Sequence, residues 1–130
     1  MIVLDASALV DVLMDQPTAA WVLDQIDDEE VSAPAHQPAE VISAVTRLVR
    51  AGELASGAAR DALVEAMRLP QRLVIPTATH LLQAYALRDR IRVLDGLYVV
   101  LANELRCPLV TTDRRLVRAE PPCEVRAPPP

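Results

Sequence analysis

The 130-residue chain is long enough for one domain, and its 52% hydrophobic and 24% charged residues exclude a disordered or fibrous protein. A formal net charge of −5, no Phe, one Trp and two Tyr exclude a broadly basic or base-stacking nucleic-acid binder. All 13 basic residues are Arg, which excludes chemistry that needs a lysine.

Met1 to Leu4 is a short apolar run ending at Asp5, the pattern of a parallel strand covered on both faces. Ser7 to Met14 reads as a helix, with Asp11 and Asp15 on a separate face from Leu9, Val10, Val12 and Leu13. Pro17 opens a second helix to Asp27, where its missing N–H is harmless, and Val31 to Ala33 is the next strand. Pro38 opens a helix whose stripe of Val41, Ile42, Val45, Leu48 and Val49 has the period of a core-facing surface, stopped by Gly52.

A helix over Gly57 to Arg68 is interrupted by Pro70, and Leu73 to Ile75 gives a third strand. Ala78 to Arg90 is expected to be helical, facing the core through Leu81, Leu82 and Tyr85, and Asp95 to Arg106 is apolar on nearly every side and so largely buried. Leu109 to Thr112 forms a strand ending at Asp113, a helical turn runs on to Val117, and Val125 closes the sheet as an edge strand. Ala127 to Pro130 offers neither donors nor bulk, so a mobile or extended proline-rich tail is expected beyond a single domain of residues 1–126. The alternation implies an α/β sandwich around a mainly parallel sheet, with ligand sites beyond the carboxyl ends of the strands.

No run of about 18 apolar residues and no secretory n-region is present. Cys107 and Cys123 form neither a zinc or redox motif nor a disulfide framework. A soluble protein of the reducing cytoplasm is therefore expected.

Asp5 and Asp113 each follow an apolar strand, so a parallel sheet brings them to one edge, and the helix starts carrying Glu40 and Asp95 should face that edge too. Each acid also has a structural alternative: Asp5 and Asp95 as helix caps, Glu40 as a dipole-favoured first-turn acid, Asp113 as a turn residue. Together they would repel unless a cation lay between them, and an all-oxygen set suits Mg²⁺, with Mn²⁺ as a substitute. Arg114 and Arg115 either hold a phosphate or form a solvated basic helix start. His36 and His80 lack a recognisable partner and read as surface or structural residues.

The opening IVLDASALV, the helix PAEVISAV, the block VLDGLYVVLANEL and the late strand CPLVTTDRRL, in this order, resemble the PIN domain. Within that family the likeness is to VapC-type toxins of bacterial toxin–antitoxin pairs, and it spans about Met1 to Val125. The resemblance implies a PIN-like three-layer α/β/α sandwich in which Asp5, Glu40, Asp95 and Asp113 are the acidic quartet of a divalent-metal-dependent endoribonuclease. Ser7 and Thr112 are then hydroxyl neighbours of the metal site, though Ser7 alternatively just begins a helix.

The implied reaction is hydrolysis of an RNA phosphodiester, leaving 5′-phosphate and 3′-hydroxyl ends, on structured RNA such as transfer or ribosomal RNA. Implied partners are a second copy of the chain and a cognate antitoxin that covers the acidic edge with an Arg and lays apolar peptide in a nearby groove. The helices before Gly52 and after Gly57 either supply the dimer surface or are entirely core. Gly96, where many relatives carry Ala, is expected to loosen its helix start slightly. Competing classes are an aspartyl-phosphate phosphohydrolase or receiver, which would use a Lys that this chain lacks, and a catalytically silent binding module.

Overall fold

A computed structural model describes residues 1–130. In chain order the elements are β1 (Ile2–Leu4), α1 (Ala6–Leu13), α2 (Ala19–Ile26), β2 (Val31–Pro34), α3 (Gln37–Arg50), α4 (Ser56–Arg68) and β3 (Arg72–Val74). There follow α5 (Ala78–Ala86), α6 (Val93–Leu105), β4 (Leu109–Val110), α7 (Arg114–Arg118) and β5 (Val125–Arg126). The sheet is five-stranded and parallel throughout, in the order β3-β2-β1-β4-β5.

Burial explains why the strands are short runs of aliphatic residues. β1 lies in the middle of the sheet, and Ile2, Val3 and Leu4 are fully buried because helices cover both faces. Helix α6 packs on β1, β2 and β4 with α5 against it, while α1 packs with α2, α3 and α4, giving an α/β/α sandwich. Tyr98, Val99, Leu101 and Ala102 of α6 join the strands in the main core, as expected of a helix apolar on nearly all sides. No helix is long and apolar enough to cross a membrane.

One expectation is overturned. On α5 the stripe of Leu81, Leu82 and Tyr85 is 49%, 68% and 55% exposed, and the buried residues are His80 and Ala84. The helix docks by its small face because Gly96 of α6 lies against Ala84, where an added Cβ would come within 3.3 Å of the alanine methyl. Gly96 thus serves a close approach of two helices rather than merely loosening one. The C-terminal residues, expected to form a mobile or extended tail, carry no helix or strand after Arg126, and Pro128 is buried with its carbonyl accepting a hydrogen bond from the Arg114 guanidinium.

Helix boundaries also shift in ways that matter for the site. Helix α6 begins at Val93, so Asp95 stands inside the first turn instead of capping it, and Arg92 takes the N-cap position. Helix α3 ends one residue before its cap at Ala51, and Gly52 then adopts a φ of +74°, the left-handed turn that glycine permits.

Candidate active site

Beyond the carboxyl ends of β1 and β4 lies an open cleft of about 380 Å³, lined by Asp5, Glu40, Asp95 and Asp113 together with Ser7, Asp11, Arg47, Arg92, Thr112 and Arg115. All four acids singled out in the sequence border it. Their side chains are held in different ways, and the neighbours that hold them were mostly not foreseen.

Asp5 is 4% exposed and follows β1 at the N-cap of α1, yet its side chain makes no capping bond. Instead Oδ2 accepts the hydroxyls of Ser7 at 2.7 Å and Thr111 at 2.6 Å, while neither hydroxyl bonds Oδ1. These hydroxyls are fixed in turn, since Ser7 Oγ accepts the Thr112 N–H and Thr111 Oγ1 accepts the Asp113 N–H. Burial pushes the Asp5 carboxyl up to about 6 against these two bonds, and the negative charges of Asp95 and Glu40 push the same way.

The hydroxyl that meets Asp5 just beyond β4 is that of Thr111, while Thr112 gives its backbone N–H to Ser7 and also borders the cleft. The register explains this. Val3 pairs with Leu109 and Leu4 with Val110, so Thr111 is the residue abreast of Asp5.

Glu40 sits in the first turn of α3 and reaches across to α6. Its Oε1 accepts the hydroxyl of Tyr98 at 2.8 Å and lies 3.0 Å from Nε2 of His36. Burial works against ionisation, but these two bonds and the charges of His36 and Arg92 prevail and hold the carboxyl below the usual glutamate range. Burial, followed by the charges of Glu40 and Asp5, raises the Tyr98 phenol far above its ordinary value, so Tyr98 acts there as a hydrogen donor. His36 Nε2 also lies 3.1 Å from the Leu94 carbonyl. Its role in orienting Glu40 was foreshadowed by their i,i+4 spacing, the signal that the sequence reading passed over.

Asp95 is paired with Arg92, three residues before it, through Nε to Oδ2 at 3.1 Å and Nη2 to Oδ1 at 3.2 Å. Arg92 Nη2 is also 3.6 Å from Glu40 Oε2. Asp113 caps α7, its Oδ1 accepting the Arg115 N–H at 2.9 Å. Of the two arginines proposed for phosphate, Arg115 lines the cleft, while Arg114 turns away to hold Pro128. His80 is structural: Nδ1 accepts the Thr77 N–H at the start of α5, and Nε2 meets Glu104 at 2.8 Å.

The donor set is oxygen throughout, with one carboxyl, Asp5, whose ionisation is suppressed by burial first and by its acidic neighbours second. Such a set fits Mg²⁺ or Mn²⁺, which take oxygen ligands, and Mg²⁺ commonly uses one or two protein carboxylates with water completing its shell. No three of the carboxylate, imidazole or thiol groups are gathered tightly enough to ligate one ion. The four acids border one cleft without closing into a single ligand cage.

A parallel sheet with this cleft at its carboxyl edge defines the class, and the family model described as the PIN domain matches residues 2–120. The chain belongs to the PIN-domain family. Within it, the chain is 39% identical over 119 residues to ribonuclease VapC12 of Mycobacterium tuberculosis, covering 92% of each protein. Its fold is similar to the crystal structure of M. tuberculosis VapC20, a sarcin–ricin loop cleaving toxin, with a TM-score of 0.68 at 15% identity over 91% of this chain and 95% of that one. A further similar structure is VapBC2 from Rickettsia felis bound to a fragment of its promoter DNA, with a TM-score of 0.68 at 14% identity and 98% coverage of both chains.

Proposed function

We propose that this protein is a divalent-metal-dependent endoribonuclease and the toxin of a toxin–antitoxin pair. The observation that carries the reading is the placement of Asp5, Glu40, Asp95 and Asp113 around one cleft at the carboxyl edge of the sheet. The likeness to VapC12 over nearly the whole of both chains supports RNA as the substrate class. The sarcin–ricin loop named for VapC20 supports a structured RNA. The pairing in VapBC2 supports an antitoxin partner.

In this reading Asp5 and Asp113 bind Mg²⁺ or Mn²⁺, Asp95 binds directly or through water, and Glu40 orients water or a second ion. The ion, when bound, acidifies water and offsets charge on the phosphate oxygens. The protein's own part is positional. Ser7 and Thr111 hold Asp5 through one oxygen, Tyr98 and His36 hold Glu40 through one oxygen, and Arg115 offers a guanidinium to the phosphate.

An apolar groove between α1, α3 and α4, lined by Leu9, Pro38, Val41, Ile42, Leu63 and Met67, suits the apolar peptide of an antitoxin. Both cysteines are free, in keeping with a reducing cytoplasm. Apolar side chains stand exposed on α3 and α4 (Ile42, Val64, Met67), the surface expected for a homodimer, and also on α5 (Leu81, Leu82, Tyr85), which offers a second one.

The test is incubation of antitoxin-free protein with total cellular RNA and Mg²⁺ or Mn²⁺, comparing wild type with Asp5→Asn and Asp95→Asn. Cleavage by wild type that is lost in both variants is expected, and equal cleavage by all three sinks the assigned site. Turnover of small phosphate esters would favour the phosphohydrolase alternative. Inactivity on both substrates would favour the binding module.

A further inference from the structure

Asp5 is fixed by two hydroxyls, Glu40 by Tyr98 and His36 on one oxygen with Arg92 3.6 Å from the other, and Asp113 by the Arg115 N–H, with the Arg115 side chain 3.7 Å away. Asp95 differs, because both its oxygens are taken by Arg92. The two acids are mostly sheltered, with side chains 15% exposed for Asp95 and 21% for Glu40, whereas the Arg92 side chain is 65% exposed. The backbone of Arg92 is committed as the N-cap of α6, and its side chain plays no part in capping. Only rotation of an exposed side chain is needed to move the guanidinium.

Arg92 also stands where three depressions meet. It borders the acidic cleft, a second hollow with Arg90 and Arg115, and a third with His36, Ser43 and Arg47. Beyond the acids, the rim within reach of that side chain is thus marked by other arginines. A guanidinium is charged at every accessible pH, and its planar fork fits a phosphate as well as a carboxylate.

We propose that Arg92 is a tethered counter-cation that exchanges partners: it neutralises Asp95 and Glu40, gives up their oxygens to the divalent ion, and then holds an RNA phosphate at the edge of the cleft. This rests on the metal-dependent ribonuclease reading above and adds a residue and an order of events to it. Arg92 and the ion repel each other and draw on the same Asp95 oxygens, so they compete. An ion pair as exposed as this is weak, which makes the exchange easy.

The exchange has a readout independent of turnover. Calorimetric titration of the full chain with Mn²⁺ should give an affinity about fivefold higher for Arg92→Gln than for wild type, because a competing charge a few ångströms away has been removed. Arg92→Lys, which keeps the charge, should stay near wild type. At saturating Mn²⁺, the KM for an RNA substrate should rise about tenfold in Arg92→Gln with little change in kcat, the mark of lost phosphate binding.

An Mn²⁺ affinity in Arg92→Gln equal to or below wild type overturns the exchange, as does an unchanged KM or a Lys variant that behaves like Gln. Wild type and Asp5→Asn serve as the check on the underlying reading. If wild type fails to bind Mn²⁺, or Asp5→Asn binds it equally well, the metal site itself is wrong and the exchange falls with it.

Discussion

Asp5 shows most directly how position in the fold alters a side chain. The buried carboxyl keeps its proton up to about pH 6, whereas in the unfolded chain it would lose it near its ordinary value of 3.8. The folded state therefore holds the extra proton between these values, so this group's stability contribution is full below about pH 4 and is lost as pH rises through about 6. The loss amounts to about 3 kcal/mol at neutral pH. In Asp5→Asn the amide oxygen can accept both hydroxyls without bringing a charge. With chelator present, this variant is expected to melt at a higher temperature than wild type at pH 7.5 and to lose the slope between about pH 4 and 6. Thermal melts across that range check it, and an Asn variant with the wild-type slope would refute the account.

The two threonines offer a sharper contrast. Thr111→Val removes a hydroxyl from Asp5 and the acceptor of the Asp113 N–H, which should cost about 1–3 kcal/mol and reduce RNA cleavage at least tenfold. Thr112→Val keeps the backbone N–H that Ser7 uses and should remain within about 0.5 kcal/mol and close to full activity. Denaturant melts with a cleavage assay on both variants decide the matter. The family resemblance implied Thr112, which does border the cleft, but the hydroxyl bound to Asp5 is that of Thr111. Only the register with β1 identifies which threonine lies abreast of Asp5.

Among the elements, periodic patterns located the strands and helices well, since a two-faced parallel sheet writes itself as short aliphatic runs. Asp5 and Asp113 were legible for the same reason: each ends such a run. Arg92 and Tyr98 were not. With α6 read as starting at Asp95, Arg92 lay outside the helix and its i,i+3 relation to Asp95 had no meaning, and Tyr98 looked like one more core residue. The stripe on α5 misled because hydrophobic spacing cannot tell a face turned to the core from one left outside. Gly96 and Ala84 decided the orientation through their small size. Since α5 carries exposed side chains on its outer face, it is free to yield by a few tenths of an ångström. Gly96→Ala should then gain helix propensity and stabilise the fold by about 0.5 kcal/mol, less than the roughly 1 kcal/mol available in an unobstructed helix. A loss of stability in chemical denaturation would mean that α5 is held in place from outside.

For the molecule as a whole, one of its exposed apolar faces is carried by α5 rather than by the elements that supply the acids. The exposed Leu81, Leu82 and Tyr85 of α5 lie on the helix that packs against α6, while the acids line the cleft at the carboxyl edge of the sheet. If α5 joins two copies, Leu82→Asp should shift the mass measured by light scattering from dimer to monomer without altering the cleft. A dimer that survives the substitution would place the interface elsewhere.

The strand order also governs when this cleft can exist. β1 opens the chain yet occupies the centre of the sheet, and its partner β4, which carries Thr111 and leads into Asp113, is made about a hundred residues later. During synthesis the earlier strands can pair on one side of β1, but the other side stays bare, and Asp5 lacks one of its two hydroxyl donors. A nascent chain emerging beside the ribosome's own RNA is therefore without a finished cleft until β4, Thr111 and Asp113 have been translated, a safeguard that arises from topology alone.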